Sequence, residues 1–182
     1  MGRHDLAYQV KVINIASTHV LGATELPDGG VIEGEIDVNE VARKIMVAAS
    51  SSGLGALVLF VGFVKGVVND AEVKELEYSA YEPYASRKLR EIAEEECREE
   101  GMSDVLIYHR VGRLKPGEPT VYIFVVAQSR SVAFDKARRV LERVKHEVPI
   151  FKLERRSDGE YWVVGDGVRM RRPAESRRKS HS

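Results

Sequence analysis

The amino-acid sequence predicts an α+β domain with a mixed, largely antiparallel sheet and three main helices. The first observation is the order of the hydrophobic patterns, in which an N-terminal strand is followed three times by one helix and two strands. The second is that short turns join the strands of the later pairs, as in hairpins. The third is that each helix carries an apolar stripe with a period near 3.6 residues, which can pack on a sheet.

Residues 1–35 read as an N-terminal extension with a strand at 8–15 and a turn at 26–30. A helix follows, because Asp37 suits the N-cap and Glu40 can reach back to complete a capping box. Its apolar face consists of Val38, Val41, Ala42, Ile45, Met46 and Ala49, and it ends at residues 50–53.

The continuous apolar run at residues 55–64 predicts a central strand that is buried on both faces. Gly62 within it permits a bulge, or a close approach of backbone to a ligand. Lys65 places a cation at the end of this strand, where a lysine is usually just solvated.

Residues 73–81 alternate as the next strand, and Pro83 suits the first position of a second helix. This helix runs to Gly101, with Cys97 on its buried side as a structural thiol and a charged, solvated opposite face. Residues 104–112 and 120–127 then predict a hairpin around a turn at 115–118.

The third helix begins after residues 128–131, with Ser129 or Ser131 as its N-cap. Free N–H groups at this helix start, together with Arg130, could bind an anion. Pro149 ends the helix near residues 146–148, since proline lacks an N–H and disfavours helical geometry before it. Its apolar stripe consists of Ala133, Phe134, Ala137, Val140, Leu141, Val144 and Val148. A terminal hairpin follows, from residues 150–155 through a turn to residues 161–164.

Lys145 lies at the edge of that stripe, one turn beyond Leu141. Its stem could lie on the core while its ammonium reaches a cleft. The alternative is a solvated lysine paired with Glu142 at i,i+3, which the pattern alone favours.

Composition narrows the class of protein. Lys+Arg and Asp+Glu both number 28 among 182 residues, so no global charge favours nucleic acid or membrane. The basic segment 169–182 is typical of a flexible, solubilising tail, less often of a contact with nucleic acid or an acidic partner. A single cysteine excludes an internal disulfide, no metal-binding spacing occurs, and a cytoplasmic location is expected.

The candidates for chemistry are mostly basic. A set of cations without a metal motif suits an anionic, phosphorylated small molecule. A partly buried lysine among other cations has its pKa lowered, which makes it a candidate base or nucleophile. The set consists of Lys65, His109, Arg110, Arg130, Lys145 and Lys152.

In unbroken order over residues 36–164, the sequence resembles the large, catalytic subunit of molybdopterin synthase. The lysine–proline–aromatic–lysine–glutamate block is the most specific part. The motifs are Phe60-x-Gly62-x-Val64-Lys65, Tyr78-x-x-Tyr81-x-x-Tyr84-Ala85, His109-Arg110-Val111-Gly112-x-Leu114-x-Pro116-Gly117-Glu118, Arg130-x-x-Ala133-Phe134, Lys145-x-x-x-Pro149-Ile150-Phe151-Lys152-x-Glu154 and Asp158-Gly159-x-x-Trp162-Val163.

The resemblance implies an α/β hammerhead fold over residues 36–168 and a homodimer within a heterotetramer. It implies a small ubiquitin-like sulfur carrier whose C-terminal Gly-Gly thiocarboxylate enters each active site. The reaction would convert cyclic pyranopterin monophosphate into molybdopterin by two sulfur transfers, without a metal or cofactor of the subunit's own.

The same resemblance assigns roles to individual residues. Lys145 would be the principal catalytic lysine, next to the carrier's terminal carbonyl, and Lys152 would bind substrate or assist proton transfer. The substrate-binding segments would be Phe63-Val64-Lys65, Ser129-Arg130 and Lys152-Leu153-Glu154, and the pocket would be lined by Phe60, His109 and Arg110.

Three positions depart from the family pattern. Lys65 stands where arginine is usual, which keeps the charge but loses a bidentate phosphate contact. Ser129 stands where histidine is usual, and Asp166 lies near the place of a C-terminal arginine, for which Arg169 is the candidate replacement. The loss of the histidine leaves open an alternative, a non-catalytic binding or scaffold paralogue whose basic tail contacts nucleic acid or an acidic partner.

Overall fold

A computed structural model describes residues 29–98, 103–164 and 167–173. The helices are α1 (Val38–Ala49), α2 (Tyr84–Arg98) and α3 (Arg130–Glu147). The strands are β1 (Gly30–Ile32), β2 (Ala56–Phe63), β3 (Val67–Val68), β4 (Ala71–Ala80), β5 (Ser103–Arg110), β6 (Gly112–Leu114), β7 (Pro119–Ala127), β8 (Ile150–Arg156), β9 (Gly159–Val164) and β10 (Val168–Arg171). The predicted α+β class is confirmed. From α1 onward the predicted helices and strands follow in the predicted order, and four short strands are added, β1, β3, β6 and β10.

The first sheet has four strands in the order β1-β5-β7-β2, and β1 pairs parallel with β5. Because side chains alternate along a strand, Val105 and Ile107 of β5 face α2 and α3, while Leu106 and Tyr108 face α1. Helices therefore cover both faces, and the two inner strands are buried along nearly their whole length.

The second sheet follows the order β10-β9-β8-β4-β3, with β6 paired to β4. After Arg110 the chain leaves the first sheet through Gly112, which adopts a φ of 104°. It pairs briefly with β4 before it returns as β7, so the predicted hairpin of β5 and β7 contains a strand of the other sheet.

The helix ends largely match their sequence signals. The carboxylate of Asp37 accepts hydrogen bonds from the backbone N–H groups of Asn39 and Glu40. The Glu40 carboxylate binds Lys44 at 2.6 Å, so the predicted reach back to the N-cap is replaced by an ion pair. Ser129 is the N-cap of α3, and Val148 follows its last residue.

The prediction that residues 55–64 form a central strand is wrong, because β2 lies at the edge of its sheet. Its outward side chains keep solvent contact, with Phe63 64% exposed. A continuous apolar sequence indicates that both faces of a strand are covered by other elements. It does not show whether the strand has one neighbouring strand or two. The register shifts between Gly62 and Phe63, but the extra residue is Thr120 of β7 rather than a residue of β2. A Cβ added at Gly62 would lie 2.8 Å from the Val121 side chain.

The structured domain extends beyond the predicted boundaries at both ends. Residues 30–32, assigned to the N-terminal extension, form β1 inside the first sheet. Residues 169–171, assigned to a flexible tail, belong to β10, which pairs with β9 because residues 161–164 offer an open strand edge. The predicted strand at 8–15, the helix end at Gly101 and the tail from residue 174 lie outside the described residues.

The buried stripe of α3 differs from the predicted one at two positions. Phe134 is 64% exposed, whereas Lys136 is almost fully buried. The burial follows the spacing i, i+3, i+4, i+7 from Ala133, which places Lys136 rather than Phe134 on the inner face.

Candidate functional site

The candidate site lies on one face of the second sheet, where one row of cross-strand neighbours collects polar side chains. The register pairs Tyr78 with Lys152, Lys152 with Val163, and Val163 with Arg169. Directly opposed residues in antiparallel strands place their side chains on the same face. The row therefore brings a tyrosine, a lysine and an arginine from three separate segments to one surface.

Lys152 is the half-buried cation of this row. Its Nζ lies 5.8 Å from the centre of the Tyr78 ring, a cation–π geometry. Burial lowers the pKa of Lys152, and the positive charges of Arg169 and Lys65 lower it further, while Glu154 opposes them. A larger share of neutral amine suits proton transfer, and the ammonium form suits an anionic substrate.

His109 and Tyr78 form the neutral side of the site. Their rings meet edge to face with centroids 5.1 Å apart. The His109 Nδ1 lies 2.9 Å from the carbonyl oxygen of Arg110, to which it donates, so Nε2 is the acceptor in the neutral ring. Burial lowers the pKa of His109 to about 4 and raises that of Tyr78 to about 12. Both groups are therefore uncharged at neutral pH.

Glu154 is the buried carboxylate of the site. Arg169 binds it through two nitrogens, at 2.9 and 3.3 Å, and Arg156 lies 3.6 Å away. The Glu154 carboxylate, predicted as substrate-binding, is thus held by arginines of the same chain. Leu153, predicted with it, points to the opposite face and is buried, as alternation along β8 requires.

The segment after β2 positions Lys65. Val64 is buried, and its backbone is fixed by hydrogen bonds to Glu118 and Gly117. This leaves Lys65 exposed at the strand end, with its charge close enough to act on Lys152. The predicted aromatic residues differ in exposure, since Phe63 is exposed whereas Phe60 packs against the core under α3.

Lys145 has a different environment from Lys152. Its side chain is half-exposed in the last turn of α3, and its Nζ lies 3.2 Å from Glu142. The structure thus shows the pairing that the pattern alone favoured. At the other end of α3, Ser129 is occupied as the N-cap and Arg130 is exposed.

Arg110, which was predicted to line the pocket, is held by contacts with its own loops. It donates to the carbonyl oxygen of Pro119 at 3.0 Å and contacts the carboxylates of Glu35 and Glu118. These contacts brace the segment where the chain passes between the sheets. The pocket-lining role of Arg110 stays a prediction.

Two residues of the row were absent from the predicted site. Tyr78 was visible only as part of an aromatic motif, and its place beside Lys152 follows from strand register, which a single sequence does not give. Arg169 was visible as a possible replacement for a missing arginine, but the strand that carries it was taken for a tail.

His109 is expected to make stability depend on pH. The folded protein resists protonation below pH 6.5, whereas the unfolded chain takes up the proton, so stability falls as pH falls from about 6.5 to 4. Between pH 7 and 5 we expect a loss of about 2 kcal/mol from this residue. Urea unfolding of wild type and His109→Gln at both pH values measures it, and an equal loss in both proteins would contradict the assignment.

Among the residues that the structure describes, no three His, Cys, Asp or Glu side chains are grouped to hold a metal ion. Within the same residues, no helix has the length and apolar character needed to cross a membrane.

Comparison with known proteins shows which family the chain resembles. The family model described as MoaE protein matches residues 31–147. A molybdopterin synthase catalytic subunit from Pyrococcus abyssi is 36% identical over 124 residues, which cover 68% of this chain and 84% of that protein.

Solved structures show the same fold. The crystal structure of molybdopterin synthase from Staphylococcus aureus has a TM-score of 0.66 at 28% identity, over 75% of this chain and 97% of that chain. A complex of subunits 1 and 2 of the molybdopterin-converting factor from Helicobacter pylori has a TM-score of 0.61 at 20% identity, over 76% of this chain and 91% of that chain. The second likeness concerns the fold alone. The resemblance to the catalytic subunit of molybdopterin synthase is thereby confirmed, and the chain belongs to the MoaE protein family.

Proposed function

We propose that this chain is the catalytic subunit of a molybdopterin synthase and acts in molybdenum cofactor biosynthesis. Its reaction would transfer sulfur from a thiocarboxylated carrier protein to cyclic pyranopterin monophosphate and so form the dithiolene of molybdopterin. The observation that carries the proposal is the position of Lys152 in a chain of this family. Lys152 is half-buried beside Tyr78 and His109. The positive charge of Lys65 lies close enough to lower its pKa.

The charges of the site suit its substrates. Both the phosphate of the pterin and the thiocarboxylate of the carrier are anions, and Lys65, Lys152 and Arg169 supply positive charge on one face. His109 is neutral, so it adds no charge and offers Nε2 as an acceptor. We assign phosphate binding to the segments with Lys65 and Arg130, whose side chains are exposed.

In each transfer the thiocarboxylate sulfur forms a bond to a side-chain carbon of the pterin, which gives up a C–O bond. Water then breaks the acyl–sulfur bond, so that the carrier ends as a carboxylate. Negative charge develops on the carrier's carbonyl oxygen during this step, and an ammonium beside it stabilises that charge. We assign this task to Lys145 and the movement of protons near the substrate to Lys152, whose pKa is lowered by burial.

The proposed partner is a small ubiquitin-like carrier subunit with a Gly-Gly tail. The Pyrococcus relative is named a catalytic subunit, and the Helicobacter protein of the same fold is seen in a complex of two subunits. A homodimer that binds two carriers, and a cytoplasmic location, complete the proposal.

The proposal is tested by reconstitution. The purified chain, a carrier prepared as its C-terminal thiocarboxylate and cyclic pyranopterin monophosphate are expected to yield molybdopterin, detected as its fluorescent oxidation product. A carrier with an ordinary carboxylate terminus is the control and yields none. Absence of product with the thiocarboxylate, from a folded chain, would refute the assigned reaction. Salt-sensitive binding to RNA or DNA by the same chain would then favour the scaffold alternative.

A further inference from the structure

We propose that Arg169 is a positioning residue for Lys152: by holding the carboxylate of Glu154, it leaves the Lys152 ammonium directed at the substrate. The proposal rests on the proposed function for its consequence in catalysis, and its central measurement needs no substrate.

The geometry follows from the sheet register. Lys152 and Glu154 are two residues apart on β8, so both side chains lie on the same face of the sheet. An ammonium and a carboxylate at that spacing can pair directly, which would turn the lysine along the strand. Arg169 lies on β10, two strands away in the row of Lys152, and reaches diagonally to Glu154.

The contacts show how Glu154 is occupied. Nε and Nη2 of Arg169 lie 2.9 and 3.3 Å from its two oxygens, a bidentate geometry that a lysine cannot reproduce. The Glu154 side chain is only 2% exposed, so in the folded chain its charge is balanced mainly by protein groups rather than by water. The Lys152 ammonium lies instead over the face of Tyr78.

The neighbouring Arg156 also pairs with Glu154, but through one nitrogen and at a longer distance. Arg156 is engaged by Asp158 through two contacts of 2.9 Å, and its guanidinium lies 4.1 Å from the centre of the Tyr161 ring. Its distance to Glu154 is 3.6 Å, longer than either contact made by Arg169. Arg169 is therefore the partner whose removal exposes the Glu154 charge to Lys152.

The charged and titratable groups that face Lys152 come from five segments. They are Glu154 on β8, Arg169 on β10, Lys65 after β2, Tyr78 on β4 and His109 on β5. Tyr78 and His109 are neutral at pH 7, and Glu154 is the negative charge among the groups of this set. The net charge that acts on Lys152 thus depends on whether Arg169 holds the Glu154 carboxylate.

The test is the titration of Lys152 in the full chain. Lysines are reductively methylated with ¹³C-formaldehyde, and the Lys152 signal is assigned by its absence in Lys152→Gln. In Arg169→Gln we expect the pKa of Lys152 to rise by about 1 or more, because the carboxylate then pairs with it. Arg169→Lys keeps a positive charge beside Glu154 but loses the bidentate contact, so we expect a Lys152 pKa between those of wild type and Arg169→Gln.

Arg171→Gln is the matched control. Arg171 carries the same charge on the same strand and donates to the backbone oxygen of Asp158 rather than to Glu154. Its replacement is expected to leave the Lys152 titration unchanged. An unchanged pKa in Arg169→Gln, or equal rises in both variants, would overturn the proposal.

A double variant keeps the proposal testable if Arg169→Gln does not fold. Glu154→Gln combined with Arg169→Gln removes both partners and leaves no unpaired buried charge. Compared with Glu154→Gln alone, it is expected to raise the Lys152 pKa by clearly less than Arg169→Gln does when Glu154 is present, because only the direct charge of Arg169 is then removed. A rise of about 1 in that comparison would show that Arg169 acts by its own charge, without Glu154, and would refute the proposal.

The consequence for catalysis is read from the pH profile of sulfur transfer. In Arg169→Gln the limb that reports Lys152 is expected to move to higher pH, with activity recovered above it. Since the titration is measured without carrier or pterin, failure of the sulfur-transfer reaction would leave the result on Arg169 intact.

Discussion

Lys145→Ala is expected to abolish sulfur transfer, with a rate at least about 10³-fold below wild type, while the fold stays intact. The side chain is half-exposed and is held by Glu142, in an ion pair of a kind worth at most about 1 kcal/mol. A carrier tail that brings its own anionic terminus can therefore displace Glu142 at little cost. Single-turnover formation of molybdopterin measures the rate, and urea unfolding checks the fold.

Two controls isolate the role of Lys145. Lys44→Ala removes another helical lysine from an ion pair, with Glu40, on the helix that covers the opposite face of the first sheet. Glu142→Ala removes the partner but keeps the Lys145 ammonium. Both variants are expected to stay within about twofold of wild type, since Lys44 lies on a different helix and Glu142→Ala leaves the Lys145 ammonium in place. Full activity of Lys145→Ala would instead move the catalytic assignment to Lys152.

The fold could be predicted wherever one chemical signal decides a local structure. Asp37 and Ser129 accept hydrogen bonds from the first N–H groups of their helices, and Pro149 ends α3, so these boundaries were readable. The apolar periods of the helices and of the inner strands fixed their type in the same way. Such signals depend on residues only a few positions apart.

Properties that depend on distant segments could not be read in the same way. The edge position of β2 depends on which strands β7 pairs with, and the run at residues 55–64 contains no record of that choice. The strand β10 depends on the open edge of β9, and its basic composition suggested a tail. Both errors arise because tertiary pairing overrides local composition.

In the candidate site, too, some residues could be predicted from local sequence and others depend on distant segments. Lys65 was identifiable as a cation at a strand end, and Lys152 as the second lysine of the lysine–proline–aromatic–lysine–glutamate block. In the structure the charge of Lys65 is among the causes that lower the pKa of Lys152, after burial. The partners Tyr78 and Arg169 are 74 and 17 residues from Lys152 in the chain. Only the register of β4, β8, β9 and β10 places them in one row. Lys145, in contrast, shows a surface ion pair, and its catalytic role stays a proposal.

Glu96 of α2 joins the two helices that cover one face of the first sheet, through contacts with α3. Its carboxylate, only 3% exposed, accepts from Arg139 at 2.7 Å and from Arg143 at 3.2 Å. Its backbone oxygen accepts from the buried Lys136 at 2.5 Å. A glutamate on a helix is usually exposed to solvent. Glu96 can be buried because Arg139 and Arg143 of α3 bind its carboxylate.

Glu96→Ala is expected to lower the free energy of unfolding by about 3 kcal/mol, near the lower end for breaking a buried ion pair. The loss is not larger because Arg139 is 46% exposed and Arg143 keeps Glu95 and Glu147 as partners. Glu94→Ala is the matched control, since Glu94 pairs with Arg98 at the surface and should cost less than about 0.5 kcal/mol. Urea unfolding at pH 7 compares the two variants. Equal stabilities would mean that the apolar contacts of α2 and α3 hold the helices together without this carboxylate.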